Sequence, residues 1–237
     1  MTLAHLEMAE APNFRPHNVS RESDDAGSTD VDIRTNHPLL THHDDDPYDI
    51  CSIRNSEERF SIFHVFVYSG LMMQKREVIR DVYAVARVTS RDGLGETVIA
   101  KNVLGRSHAE KNLIIKLRSF FTEPRTAMNL KIWINFSPCS RCSGKLLDFF
   151  GQVSLCTDLR EIVFPSLYRI QKRKNVKELR DLKRSGIFLK AFDEQEWLQF
   201  RQVLHVTDED FVIPVSRTAQ DESITDRLSA ILLPGRL

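Results

Sequence analysis

Two short stretches of this 237-residue chain carry side chains whose types and spacing suit metal chemistry: His108-Ala109-Glu110 and Pro138-Cys139-Ser140-Arg141-Cys142. Either alone says little, because C-x-x-C also serves as a redox pair and H-x-E recurs by chance. Together they offer one imidazole and two thiolates, a donor set that a catalytic zinc accepts while its fourth position stays open for water. Glu110 is not needed as a fourth ligand, and it is placed to carry a proton between water and a substrate nitrogen. A structural zinc module requires a second ligand pair, yet Cys51 and Cys156 are isolated and His205 has no H-x-x-x-H partner. One catalytic zinc per chain is therefore the expectation. His42 and His43 beside Asp44, Asp45 and Asp46 read instead as a solvated acidic run.

Ligands so far apart in sequence need elements to bring them together. Glu57–Gln74 is long and apolar and predicts a helix, although β-branched and aromatic residues crowd it. Val82–Thr89 alternates as a strand, Arg91–Gly95 is a turn, and Thr97–Leu104 returns as the second strand of a hairpin. Ser107–Phe121 predicts a helix with Ser107 as N-cap and Glu110 completing a capping box. Further strands are expected at Leu130–Phe136, Glu161–Pro165 and Ile187–Phe192. Helices are expected at Cys139–Gln152, Asn175–Arg184, Asp193–Leu204 and Asp221–Leu233. A hairpin followed by βα alternation predicts an α/β fold, a mixed five-stranded sheet with helices on both faces. His108 then opens one helix. Cys139 and Cys142 lie one turn apart at the start of another, where the helix dipole favours thiolate.

The combined pattern H-x-E…P-C-x-x-C is a known signature of zinc deaminases that act on nucleobases. Over about residues 58–205 the chain resembles the AID/APOBEC family of polynucleotide cytidine deaminases. Phe136-Ser137-Pro138-Cys139 resembles the family's Ser-Trp-Ser-Pro-Cys stretch, and Leu167-Tyr168 resembles the Leu-Tyr of its substrate loop. The run Leu179–Gly186 looks like the helix behind that loop, and Ile231-Leu232-Leu233-Pro234 resembles a family C-terminal helix. Phe136 stands where the family has Trp, and Asn102 lies one residue away from the family's Asn. The resemblance implies a cytidine-deaminase-like fold, zinc on His108, Cys139 and Cys142, and Glu110 as proton carrier. It also implies a cytosine pocket built from Ala109, Phe136, Ser137, Tyr168 and Asn102, with uracil and ammonia as products.

Composition limits the alternatives. Hydrophobic residues make up 41% and charged residues 28%, which excludes fibrous and wholly disordered classes. No apolar run approaches the ~20 residues of a membrane-spanning helix. Four cysteines are too few for a disulfide scaffold, and the opening residues lack the pattern of a secretory signal. A cytoplasmic protein with access to the nucleus is the expectation. The net charge of zero conceals a division: residues 1–50 carry 11 acidic and 3 basic side chains, and the rest carry 22 and 30. The first part, 1–55, is expected to be a disordered acidic tail, followed by a deaminase domain at 56–214 and a C-terminal amphipathic helix at 215–237.

Arg169, Lys172, Arg173 and Lys174 directly follow the substrate-loop tyrosine, as a phosphate-tracking groove requires. The expected partner is single-stranded nucleic acid, DNA ahead of RNA, because C4 of cytosine is inaccessible inside a stacked duplex. Two other classes stay open at this level. One is a deaminase of free cytidine or deoxycytidine, which needs no basic groove. The other is an inactive zinc domain that only binds nucleic acid, which has no use for Glu110.

Overall fold

The computed structural model describes residues 55–71, 81–90, 92–121, 128–153, 157–207 and 211–233, all within a compact unit spanning Asp45–Leu237. The expected acidic tail, with Cys51 and Cys156, lies outside the described residues. Helix α1 (Ser56–Tyr68) is capped by Asn55, whose side-chain oxygen accepts the Glu58 N–H at 2.8 Å. It ends six residues before the expected Gln74, where the chain turns through Gly70 at φ +85°. A Cβ at Gly70 would lie 2.5 Å from the Gln220 amide and 2.8 Å from the Ser166 hydroxyl, so only glycine fits this approach.

Strands β1 (Tyr83–Ser90) and β2 (Gly95–Lys101) form the predicted hairpin. Next come α2 (Ala109–Leu117) with a 3-10 turn at Arg118–Phe121, β3 (Met128–Ile134), α3 (Ser140–Gln152) and β4 (Thr157–Phe164). The chain closes with α4 (Arg173–Arg184), β5 (Phe188–Ala191), α5 (Glu194–Leu204) and α6 (Val215–Leu232). The sheet order is β2-β1-β3-β4-β5; β1 is antiparallel to both neighbours, whereas β3, β4 and β5 run parallel. The α/β class and the mixed five-stranded sheet expected from the pattern are what the chain forms.

Period-two alternation assigns each strand residue to a face. Ala84, Ala86, Leu130, Ile132, Ile134, Ile162 and Phe164 pack against α2, α3, α4 and α6 in a mainly aliphatic core. Tyr83, Val85, Trp133 and Val163 point the other way, into an aromatic core with Phe63 and Phe66 of α1 and Trp197 and Phe200 of α5. Helices therefore cover both faces. Among the described residues no helix is long and apolar enough to cross a membrane.

Several boundaries differ from expectation for physical reasons. Strand β2 stops at Lys101, because Asn102 closes the ladder: its backbone N–H donates to the Val82 carbonyl and its side-chain oxygen accepts the Val82 N–H, both at 2.9 Å. Residues 103–107 then form a tight loop closed by paired backbone bonds between Val103 and Ser107. The N-cap of α2 is His108, not Ser107, and it makes no side-chain cap bond, so the expected capping box with Glu110 does not form. Helix α6 begins at Val215, six residues before the expected Asp221. Its first turns bury Arg217 and Asp221, charged residues that a hydropathy pattern assigns to solvent.

Candidate metal centre and substrate cleft

The N-termini of α2 and α3 meet at one end of the parallel half of the sheet. They carry the ligand candidates at equivalent places, since His108 is the N-cap of α2 and Cys139 the N-cap of α3. Neither side chain caps its own helix; they turn to each other instead. The His108 Nδ1 lies 3.6 Å from the Cys139 sulfur and 3.3 Å from the Cys142 sulfur. All three donor atoms fall within 4.8 Å of one another. Zinc–sulfur and zinc–nitrogen bonds of about 2.3 and 2.0 Å at a tetrahedral angle put sulfur and nitrogen roughly 3.5 Å apart. The donor set and its spacing therefore fit a zinc ion.

Donation from Cys142 holds the Cys139 thiol down at about 5, assisted by the amides of the α3 terminus and by His108. Cys142 is pushed far up by its hydrogen bond to Cys139 and by burial. A cation held by these donors would favour the thiolate form of both cysteines.

Glu110 sits in the first turn of α2, 5% exposed, behind the ligands. Burial raises its carboxyl above the usual range, while its own backbone N–H, His108 and a hydrogen bond with Cys142 partly oppose that rise. Ala109 beside it is fully buried.

Of the substrate-pocket candidates, Tyr168 lines the cleft beside these donors, and Phe136 and Ser137 contact its loop. Phe136 and Tyr168 stand edge to face with centroids 6.5 Å apart, and the Arg169 guanidinium lies 5.1 Å from the Tyr168 ring centre. Ser137 is a bracket: its N–H donates to the Ser166 carbonyl at 2.7 Å, and its hydroxyl accepts the Tyr168 N–H at 2.8 Å. An open cleft of about 240 Å³ is lined by His108, Cys139, Ser140, Arg141, Tyr168, Arg169, Lys172 and Asn175. The other expected pocket residues, Asn102, Ala109, Phe136 and Ser137, are not in that lining, and the Asn102 side-chain oxygen instead pins the start of β1. Arg173 and Lys174 are exposed on the first turn of α4, next to the cleft.

The basic run divides into two kinds. Lys177 and Arg184 both pair with Asp181, at 2.7 and 2.8 Å, and Arg180 donates to the Ile231 carbonyl of α6 at 2.6 Å. Among the described residues, Arg141, Arg169, Lys172, Arg173 and Lys174 form no ion pair with a carboxylate, and they cluster at the cleft.

Two residues outside the sequence motifs hold this region. Asn175, 4% exposed, accepts the Ser140 N–H at 3.1 Å and donates to the carbonyls of Tyr168 and Arg169, each at 3.2 Å. Arg217, fully buried, donates to the carbonyls of Ser69 at 2.8 Å and Pro165 at 2.6 Å and pairs with Asp221. Asp221 in turn accepts the Trp197 indole N–H at 2.8 Å. A polar side chain at the start of a helix was the only available signal for Asn175. Arg217 had its i, i+4 acid and nothing more.

The sheet order and the His-Cys-Cys centre with its buried carboxyl define the cytidine-deaminase-like class of fold. The family model APOBEC1 matches residues 97–192, which contain the three ligand candidates, Glu110 and the Tyr168 loop. Over 92 residues the chain is 28% identical to the mouse (Mus musculus) C->U-editing enzyme APOBEC-1, a match covering 38% of this chain and 39% of the mouse protein. Over this stretch the chain is similar to APOBEC-like cytidine deaminases, and the match spans about two fifths of its length and of the mouse protein's.

Proposed function

We propose that the protein deaminates cytosine to uracil in single-stranded polynucleotide, DNA ahead of RNA, with one zinc ion held by His108, Cys139 and Cys142. The observation that carries this reading is the convergence of three zinc-type donors within 4.8 Å beside a buried carboxyl that is not a ligand. A purely structural site has no use for Glu110 there. When bound, the zinc supplies Lewis acidity that makes water a nucleophile near neutral pH.

The chain's own groups do the rest. A Glu110 carboxylate oxygen takes one proton from the attacking water and gives it to N3 of the ring, then takes the second from the oxygen now on C4 and gives it to the amine there. The amine leaves as ammonia, and water's oxygen remains on C4 as the uracil carbonyl. Tyr168 and Phe136 offer aromatic surface for the base, and buried Ala109 and Ser137 wall the region behind the ligands. Arg141, Arg169 and Lys172 on the rim, with Arg173 and Lys174 beyond, suit the phosphates of a polymer better than a free nucleoside.

The test is uracil formation by the purified protein in single-stranded DNA, single-stranded RNA and free cytidine, with Glu110→Ala as control. Uracil in DNA that disappears in the variant supports the proposal. Turnover of cytidine alone transfers the activity to nucleosides. No turnover with one zinc per chain leaves a binding domain.

A further inference from the structure

Asn175 is buried in the wall of the same cleft as the ligand candidates and the basic rim, and its side chain reaches two segments at once. One carbonyl and one NH₂ can serve an acceptor and two donors, and all three are engaged with backbone groups of two different segments. One arm reaches Ser140, whose N–H is among the orphan donors at the start of α3. The natural capper of that terminus is the N-cap residue, but Cys139 makes no side-chain cap bond because its sulfur faces His108. A side chain from α4 performs the capping instead, and Cys139 stays available to a metal. The other arm holds the carbonyls of Tyr168 and Arg169. Arg169 has φ +45°, the left-handed region that a non-glycine residue adopts only when its surroundings impose it.

We infer that Asn175 is a positioning residue that ties the Tyr168–Arg169 backbone to the first turn of α3, so that substrate loop and metal centre are set in one register. The inference rests on the reading of this site as a polynucleotide deaminase. It assigns Asn175 no contact with the reacting atoms. Its effect on substrate acts through the placement of Tyr168 and Arg169.

The experiment compares the full chain with Asn175→Ala and Asn175→Asp. The aspartate keeps the acceptor for Ser140 but turns a carboxylate toward two carbonyls, so it releases the loop while α3 stays capped. Limited trypsin digestion, with fragments identified by mass, reads the loop directly because Arg169 and Lys172 are cleavage sites within it. Loss of two hydrogen bonds should speed cleavage there at least about tenfold in both variants, relative to cleavage elsewhere in the chain. Asn175→Asp should retain one zinc per chain and raise KM for a single-stranded DNA substrate by about tenfold, more than it lowers kcat.

Cleavage at Arg169 and Lys172 unchanged relative to other sites would overturn the inference. So would faster cleavage with a wild-type KM. If the wild-type protein deaminates none of the three substrates, the functional proposal fails alone, and the tryptic comparison still decides whether Asn175 clamps the loop.

Discussion

Glu110 and Glu196 occupy matching positions on opposite faces of the sheet. Each lies in the first turn of a helix, and they are 5% and 2% exposed. Their surroundings differ. Glu196 accepts from the ammonium groups of Lys131 at 2.7 Å and Lys190 at 2.9 Å, and from the Trp133 indole at 3.3 Å. Its helix is capped by Asp193, whose carboxylate accepts the Glu196 N–H at 2.8 Å. Glu110 has no lysine or arginine partner among the described residues, and its helix is opened by His108 without a side-chain cap. A buried acid surrounded by cations belongs to the architecture. A buried acid without a cationic partner, beside three metal-type donors, costs stability and fits the proposed role of proton carrier.

The comparison is sharpest where activity and stability separate. Glu110→Gln should lower kcat for uracil formation by about 10²- to 10⁴-fold, while zinc content stays at one per chain and Tm holds or rises. A fall in Tm with activity retained would reverse the assignment. Cys142→Ser, or removal of zinc by a chelator, should abolish the same activity and, unlike Glu110→Gln, lower Tm, because metal binding is linked to folding. Full activity in metal-free protein would break the site reading altogether.

Glu196→Gln should do the opposite of Glu110→Gln. It leaves Lys131 with Glu161 at 3.1 Å and Lys190 with Asp193 at 2.9 Å, so a cost near the low end for a broken buried pair, about 3 kcal/mol, is expected. In a domain of this size that is a Tm drop of roughly 6–12 °C, read by thermal melts, with kcat per folded molecule unchanged.

Smaller effects follow at the rims. Lys172→Ala should reduce the slope of log affinity for single-stranded DNA against log salt by about 0.7, as expected for one lost phosphate contact. Lys177→Ala, whose ammonium is already committed to Asp181, should leave that slope alone. Asp193→Ala should cost about 1 kcal/mol through loss of the α5 cap. Burial pushes the Asp193 carboxyl up, but Lys190, the Glu196 N–H and Lys131 hold it below its ordinary value. Its contribution is present above the ordinary pKa of about 4 and lost as pH falls through the lower folded value. The variant should therefore converge with wild type in acid.

Much of this was legible in the residue order. Alternation and turn residues predicted every strand and helix from Val82 onward, because period two and period 3.6 are local properties of the backbone. The His-Cys-Cys cluster and the acid beside it could be picked out in the sequence because their types are unusual together and their spacing matches helix starts. The misplacements share a different origin. Ser107 is the better cap by chemistry, yet His108 takes the position because its Nδ1 must face two sulfurs on another helix. Arg217 and Asp221 read as surface residues because their partners at Ser69, Pro165 and Trp197 come from three distant segments.

Local pattern thus determined the class of fold, the donor set and the acid. Tertiary structure decided which charges gather at the cleft. Lys177, Arg180 and Arg184 are tied to Asp181 or Ile231, while Arg141, Arg169 and Lys172 line the cleft. Nothing in composition separates those two groups. Lys177 and Arg184 reach Asp181 within one helix, at i,i+4 and i,i+3, whereas the Arg180 bond to Ile231 and the gathering of Arg141, Arg169 and Lys172 at one cleft exist only once α3, the Tyr168 loop, α4 and α6 have packed.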